Sequence, residues 1–338
     1  MNIGILDQSP ILPGENATDA FRHTLRLAAH ADRLGFSRYW VSEHHDATGL
    51  AGSSPEVLIA SIAAHTKRIR VGSGGVLLPH YSPYKVAENF HVLASLYPGR
   101  IDLGIGRAPG GMPLATRALR YGRPAAADYE TTFDRALSDL GGFLKHDLPA
   151  EHPLHGLKAT PIPEQAPEVW LLGSSGYSGR KAAEMGASFS FAHFINGEGG
   201  EEVVRAYYDA FRPGPLGDKP RANACIIVIC ADSDEEAERL ATSVDLRLLL
   251  LDRGDSRATF VSPEEAAAFP YTEWDRERIR YNRGRMIVGG PDKVKRDLEA
   301  FVERYGIDEV IAMTVTYDFE ARVRSYELLG GMFRLHRE

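Results

Sequence analysis

The stretch RIRVGSGGVLLPHYSPYKVAENFHVLASLYPGRIDLGIGRAPG, residues 68–110, contains one complete unit of the pattern that decides the fold. Short apolar runs predict strands over Ile69–Gly74 and Ile101–Gly106, and the residues between them predict a helix over 83–96. The Pro98-Gly99 pair ends that helix, because neither residue continues helical backbone well. A strand, a helix and a second strand in this order predict two parallel neighbours joined by a crossover.

The same alternation runs through the rest of the chain. The predicted strands are Ile3–Asp7, Arg38–Ser42, Ile69–Gly74, Ile101–Gly106, Val169–Gly173, Ser188–Ala192, Ala224–Cys230 and Glu309–Thr316. Helical patterns follow near 18–34, 55–66, 83–96, 129–145, 178–186, 200–211, 233–247 and 318–335, and another near 291–304 precedes the last strand. Eight such units predict an α/β fold, a (β/α)8 TIM barrel that forms one domain over residues 1–338.

Two insertions interrupt the regular alternation, one after the fourth strand and one after the seventh. Residues 108–127 are rich in Gly, Pro and Ala, and residues 247–290 form the longest stretch that we predict to be irregular. Irregular segments of this length inside a compact domain are often lids or binding loops.

Composition excludes several classes of protein. The 338 residues are 43% apolar and 25% charged, which is typical of a globular chain. The net charge is −7 and no basic stripe stands out, so we expect no nucleic-acid partner. No apolar run approaches 18 residues, so we expect no membrane span, and the N-terminus MNIGILDQSP predicts a strand rather than a signal peptide.

The two cysteines indicate the compartment. Cys225 and Cys230 lie in one predicted strand, where five residues span roughly 16 Å. This separation is too long for a disulfide, in which the Cα atoms are about 4.4–6.8 Å apart. Free thiols predict a cytoplasmic location.

The predicted helix 55–66 reads PEVLIASIAAH and is apolar or small around nearly its whole circumference. A helix on the outside of a barrel needs only one apolar stripe. We therefore expect a second surface to cover this helix, most simply a second subunit in a homodimer formed through helices 55–66 and 83–96. Burial beneath long loops of the same chain is the alternative.

Chemistry in a barrel of this kind is built at the carboxyl ends of the strands, and Glu43-His44-His45 ends the second strand. Adjacent strand residues face opposite sides, so one histidine at most points down the barrel axis. A metal site needs both histidines and further ligands, so we predict no metal. The pair alone is compatible with a structural or a catalytic role.

Two further strand ends are rich in small residues. Ser73-Gly74-Gly75 follows the third strand, where glycines leave bare backbone for a flat ligand, or hold a cis peptide bond, or simply form a bulge. In WLLGSSGYSG, residues 170–179, a strand ends and a helix begins, which makes either an anion site or an ordinary capped turn. Arg107, at the end of the fourth strand, is able to add a fixed positive charge for a phosphate.

Together these motifs resemble the luciferase-like monooxygenase family. The resemblance rests on RYWVSEHHDATGLAGSSPEVLIA, on the stretch 68–110 quoted above and on IVGGPDKVKRDLEAF near the C-terminus. It implies a monooxygenase that takes reduced FMN from a separate flavin reductase and uses dioxygen to oxygenate a small organic substrate.

The resemblance also implies roles for single residues. His44 matches the histidine that lies by the flavin and acts in acid–base chemistry. Gly74-Gly75 matches a pair whose cis peptide lies beneath the isoalloxazine, and Arg107 matches an arginine that helps to bind the flavin phosphate. The cofactor-binding residues implied in this way are Glu43, Ser73, Gly74, Gly75, Arg107, Gly173, Ser174, Ser175 and Ser178.

One residue departs from the family pattern. Luciferase has a reactive cysteine just before the arginine, and Gly106 stands there in this chain. The departure argues against light emission but not against oxygen chemistry.

The sequence defines the residues of the substrate pocket less closely than those of the cofactor site. His45, His80, Tyr81, His193 and Asn196 are candidate wall residues of a substrate pocket, or hydrogen-bonded structural residues. Three other functions stay open: hydride transfer with a deazaflavin in the same fold, a non-catalytic flavin-binding protein, and a metal-dependent hydrolase using His44 and His45. The EHH and DQSP motifs favour FMN.

Overall fold

The computed structural model describes residues 1–122, 129–255, 258–333 and 335, with only the backbone described at 129 and 130. The strands are β1 (Asn2–Asp7), β2 (Arg38–Val41), β3 (Arg70–Ser73), β4 (Val76–Leu77), β5 (Ile101–Gly106), β6 (Glu168–Gly173), β7 (Ser188–Ala192), β8 (Ala222–Cys230), β9 (Met286–Gly289) and β10 (Glu309–Met313). The helices are α1 (Ala17–Leu34), α2 (Pro55–Ala64), α3 (Pro83–Leu96), α4 (Pro113–Leu119), α5 (Tyr129–Lys145), α6 (Gly176–Met185), α7 (Gly200–Ala210), α8 (Asp234–Asp252), α9 (Pro263–Ala267), α10 (Glu273–Arg283), α11 (Pro291–Tyr305) and α12 (Phe319–Met332).

Eight parallel strands close into a barrel, in the order β1-β2-β3-β5-β6-β7-β8-β10 and back to β1. The predicted (β/α)8 fold is therefore confirmed. The short β4 pairs with the end of β5 and continues the wall above β3. Ile227 of β8 pairs with Met313 of β10 and with Met286 of β9. A strand residue pairs with one strand on each side, so β9 lies on the side of β8 opposite β10. On that side, β7 pairs with the first part of β8 and β9 pairs with the last part.

Side chains alternate between the two faces of the barrel wall. Ile3 and Ile5 of β1 pack outward against the helices, whereas Leu6 packs inward. Trp40 and Trp170 meet edge to face inside the barrel, with ring centroids 5.4 Å apart. The guanidinium carbon of Arg38 lies 4.7 Å from the centroid of the Trp170 ring. These groups close the amino-terminal end of the barrel, so a ligand has to enter from the carboxyl ends of the strands.

The prediction that residues 247–290 are irregular is wrong for most of the described part of that segment. Helix α8 runs on to Asp252, and α9, α10 and β9 follow. Polar contacts rather than an apolar stripe hold α10: Arg278 Nε lies 2.7 Å from Asp252 Oδ2, and a capping box joins Thr272 and Asp275. Strand β9 was missed because its apolar run, MIVG, has only four residues.

Two smaller differences concern helix α4 and the end of the last strand. Helix α4 lies within the predicted irregular insertion 108–127, of which residues 123–127 lie outside the described chain. The last strand was predicted to reach Thr316 but ends at Met313, because the backbone N–H of Thr314 donates to the hydroxyl of Tyr326 (2.9 Å) instead of to a neighbouring strand. No helix in the described ranges is long and apolar enough to cross a membrane.

Candidate active site

A cavity of about 810 Å³ opens among the carboxyl ends of the barrel strands. Inward-facing side chains of several strands form its floor: Leu6, Trp40, Leu172, Ser190, Cys225 and Ile311. These floor residues were not among the predicted site residues. The signal that points to them is strand alternation, since each lies on the inward face of its strand. A site with an apolar floor and polar groups at its edge is typical of a cofactor or small-molecule pocket.

His44 follows β2 and lines the cavity, whereas the adjacent His45 does not. The Oγ of Ser42 lies 3.1 Å from His44 Nδ1. Burial, reinforced by the positive charge of Arg247 and by His45, lowers the pKa of His44 to about 4. The imidazole that faces the cavity is therefore neutral at pH 7.

Glu43 ties the end of β2 to the strand segment that follows the glycine pair. Its Oε1 accepts a hydrogen bond from the Tyr81 hydroxyl (2.6 Å) and lies 2.7 Å from His45 Nε2. Its Oε2 accepts from the backbone N–H of Leu77 in β4 (3.0 Å). The carboxylate is buried and reaches the cavity wall, so it positions the backbone around the site as well as lining it.

The peptide bond between Gly74 and Gly75 is cis, as we expected, and both residues line the cavity. A Cβ on Gly74 would lie 2.6 Å from Leu6 Cδ1, and a Cβ on Gly75 would lie 2.7 Å from the carbonyl oxygen of Gly104. Side chains larger than hydrogen do not fit at either position without movement of the wall. The pair consequently presents bare backbone to the cavity.

Ser73 lies behind this backbone rather than in the cavity lining. Its Oγ donates to the carbonyl oxygen of Gly104 (2.8 Å) and accepts from the N–H of the same residue (3.0 Å). Ser73 thereby fastens β3 to β5 beneath the glycine pair. Ser73 therefore supports the backbone of the site and does not line the cavity.

Groups suited to an anion meet at the carboxyl ends of the neighbouring strands β5 and β6. Arg107 follows β5, and its guanidinium carbon lies 4.1 Å from the centroid of the Tyr177 ring. Ser174 and Ser175 precede α6, and the side chain of Ser175 makes no capping hydrogen bond to the helix. The N–H groups of the first helical turn and the helix dipole therefore favour a negative group there. All of the predicted anion-site residues line the cavity: Arg107, Gly173, Ser174, Ser175 and Ser178.

None of the five candidate substrate residues lines the cavity. Their polar atoms face partners within the protein. His80 Nε2 lies 2.9 Å from the carbonyl oxygen of Pro109, and His193 lies between the Tyr305 hydroxyl (2.8 Å) and the Gly284 carbonyl (3.0 Å). Burial lowers the pKa of His193. Both histidines thus have hydrogen-bond partners within the protein.

The other three make similar contacts. His45 and Tyr81 both contact Glu43, and the amide of Asn196 donates to the carbonyl oxygen of Ser174 (3.2 Å). The nearby wall is formed by the apolar side chains of Phe194 and Ile195.

Neither cysteine is paired. Cys225 lines the cavity, and burial raises the pKa of its thiol, so the floor carries a neutral SH group rather than a thiolate. Within the described ranges, no group of three or more His, Cys, Asp or Glu side chains is arranged to hold a metal ion.

Comparison with known proteins agrees with this geometry. Residues 1–309 match the model of a family described as luciferase-like monooxygenase. The N-acetyl-S-alkylcysteine monooxygenase of Bacillus subtilis (strain 168) is 39% identical and covers 98% of this chain and 97% of its own length. The uncharacterized protein YwcH of the same organism is 51% identical over 98% of this chain and 99% of its own. The crystal structure of apo-MsnO8 superposes with a TM-score of 0.89 at 36% identity, covering 100% and 99% of the two chains.

Proposed function

Because the chain belongs to the luciferase-like monooxygenase family, we propose that it is an FMN-dependent monooxygenase. It takes reduced FMN from a separate flavin reductase and uses dioxygen to transfer one oxygen atom to a small organic substrate. One observation carries this proposal: His44, the Gly74-Gly75 backbone, Arg107 and the Ser174-Ser175 turn come from four different strand ends and line one cavity.

The residues present fit FMN. The bare backbone of Gly74-Gly75 offers a surface for a flat ring system, and a Cβ at either position would clash with the wall that holds this backbone in place. Arg107, Ser174 and Ser175 would hold the phosphate, since a guanidinium and a helix N-terminus both favour a doubly charged anion. Reduced FMN, when bound, supplies the electrons that activate dioxygen.

The residues of the chain prepare the site for that chemistry. His44 is neutral, and its Nδ1 faces Ser42, which leaves Nε2 to exchange a proton on the cavity side. Leu6, Trp40, Leu172 and Phe194 give the cavity apolar walls. Apolar walls exclude water, which protects reactive species from hydrolysis.

A relative supports a choice of test substrate. The similar N-acetyl-S-alkylcysteine monooxygenase carries a thioether substrate in its name, and it matches this chain from end to end at 39% identity. We infer that a thioether sulfur is a suitable oxygen acceptor for this protein too. The apolar floor of the cavity fits the alkyl part of such a molecule.

The proposed assembly is a homodimer through α2 and α3. These helices leave apolar side chains exposed: Val57 at 70%, Leu96 at 61% and Val92 at 43%. Exposed apolar side chains clustered on neighbouring helices favour an interface between subunits. We further propose that the protein works in the cytoplasm, where flavin reductases supply reduced FMN and cysteines stay reduced.

Single turnover in ¹⁸O₂ tests the function. The protein is mixed anaerobically with reduced FMN and N-acetyl-S-benzylcysteine and then exposed to ¹⁸O₂, and the product is analysed by mass spectrometry. The sulfoxide is expected to carry one labelled oxygen, and His44→Gln is expected to lower its yield.

Two results would support the alternatives instead. Turnover with a reduced deazaflavin and not with FMN would indicate hydride transfer. Tight FMN binding without any labelled product, across thioether, aldehyde and ketone substrates, would indicate a non-catalytic flavin-binding protein.

A further inference from the structure

Arg247, in the second half of α8, is half-buried. Its guanidinium carbon lies 4.6 Å from the centroid of the Phe260 ring. Among the side chains that the structure describes, none forms a salt bridge or a hydrogen bond with it. Burial lowers its pKa.

The other deeply placed arginines of the fold have partners. Arg38 contacts Asp102 at 2.6 Å, Arg322 contacts Asp7 at 2.8 Å, and Arg283 contacts Asp245 at 2.7 Å. A charge that is removed from water without a partner costs free energy. Among the deeply placed arginines that the structure describes, an unpaired guanidinium is therefore the exception, and a ligand that supplies a negative charge would relieve the cost.

The position of Arg247 connects it with the active site. It is not part of the cavity wall, but Phe260 and the adjacent Leu248 pack in the same apolar cluster as the floor residues of the cavity. The positive charge of Arg247 also lowers the pKa of His44. Phe260 is buried and covers one face of the guanidinium. A planar guanidinium that stacks on a ring keeps the N–H groups at its edge for two parallel hydrogen bonds to an oxyanion.

We propose that Arg247 binds the carboxylate of an organic acid substrate beside His44, so that the enzyme selects acids over their neutral esters. This inference rests on the proposed function in one respect, which is that the bound acid is the substrate. Arg107 and the α6 N-terminus form a separate anion site on another strand end, so two anionic groups have separate places.

Binding measurements test this without turnover. Protein saturated with oxidised FMN is titrated by calorimetry with a series of N-acetyl amino acids, including N-acetyl-S-benzylcysteine, and with their methyl esters. The wild type is expected to bind the best acid of the series at least about tenfold more tightly than its ester. In Arg247→Gln this preference is expected to disappear, and in Arg247→Lys to survive in part.

Arg239→Gln is the matched control, because Arg239 lies on the same helix, is exposed and pairs with Glu236 at 2.8 Å. It is expected to keep the preference of the wild type. Thermal unfolding of each variant shows whether it is folded, and removal of an unpaired charge is not expected to lower stability.

Two outcomes would overturn the proposal. In one, no acid in the series binds the wild type more tightly than its ester. In the other, Arg247→Gln keeps the preference for acids but loses affinity for reduced FMN relative to oxidised FMN. That result would show that the positive charge of Arg247 stabilises the reduced cofactor instead of the substrate. A failure to oxygenate thioethers, with the acid preference intact, would count against the proposed function and not against this site.

Discussion

His44 lines the cavity, and its surroundings strongly lower its pKa. Burial comes first among the causes, and the charge of Arg247 and the neighbouring His45 add to it, so the pKa falls to about 4. A neutral imidazole accepts a proton at neutral pH more readily than it donates one. Activity of the free enzyme should consequently show no ionisation of His44 between about pH 5 and 9.

Substitution of Arg247 should change that pKa in a known direction. In Arg247→Gln the positive charge near the imidazole is lost, so the protonated form is less disfavoured and the pKa of His44 should rise above about 4. It should stay below the usual value of 6.5, because burial remains. NMR titration of labelled histidines measures it, with His44→Gln to assign the resonance among the 12 histidines. Arg239→Gln should leave the titration unchanged; a downward or absent shift in Arg247→Gln would contradict the electrostatic assignment.

The positions of cavity residues could be predicted from sequence where a strand end defined them. His44, Gly74-Gly75 and Arg107 were found because each lies at the end of a strand in a recognisable motif. The substrate residues could not be placed, because the direction of a loop side chain depends on distant partners such as Tyr305 for His193. Arg247 gave no signal at all, since its significance is the lack of a partner in three dimensions.

At the scale of elements, the regular units were predictable and the segment after α8 was not. Helices α3 and α5 have the predicted bounds, since both follow clear apolar periodicity. Helix α10 reads EWDRERIRYNR and depends on contacts with α8 such as Arg278 to Asp252. Contacts between separate elements do not appear in local periodicity, so this segment looked irregular.

The exposed face of α2 and α3 should determine the oligomeric state. Val57→Asp and Leu96→Asp place charges on this face, where burial of an unpaired carboxylate in an interface would be costly. Light scattering after size-exclusion chromatography should show a dimer for the wild type and a monomer for the double variant. Leu251→Asp, on a half-exposed residue of α8, is the control and should stay dimeric. A monomeric wild type would refute the interface.

At the scale of the whole molecule, the barrel is closed by a buried polar cluster between β1 and the helices on its outer face. Asp7 ends β1, is fully buried, and contacts Arg322 of α12, Tyr39 of β2 and Thr24 of α1. Burial raises the pKa of Asp7, but Arg322 and the hydrogen bonds outweigh it, so the net pKa is lowered. The first and last elements of the chain are joined through this carboxylate.

Asp7→Asn should destabilise the fold strongly, by about 3–5 kcal/mol, because it leaves the buried Arg322 without its charge partner. Urea unfolding at pH 7 measures the loss. Since the folded pKa lies below the unfolded value of about 3.9, the ionised carboxylate stabilises the fold above that value. This contribution is lost as the pH falls through the folded pKa, so the variant should lose less stability than the wild type on acidification.

Asp232→Asn is the control for this cluster. Asp232 is exposed and pairs with Arg324, which lies on α12 like Arg322. Its effect should stay below about 1 kcal/mol, as for other surface pairs. Equal losses of unfolding free energy in Asp7→Asn and Asp232→Asn would show that the buried Asp7 cluster stabilises the barrel no more than a surface ion pair does.

Binding of reduced FMN at the strand ends is the central claim, and an anaerobic titration followed by fluorescence tests it most directly. The wild type should bind reduced FMN and not the deazaflavin, and Arg107→Ala should bind reduced FMN at least about tenfold more weakly, because a charge-assisted contact to the phosphate is lost. Riboflavin, which lacks the phosphate, should bind both proteins alike. Unchanged FMN affinity in Arg107→Ala, or a preference of the wild type for the deazaflavin, would contradict this assignment of the site.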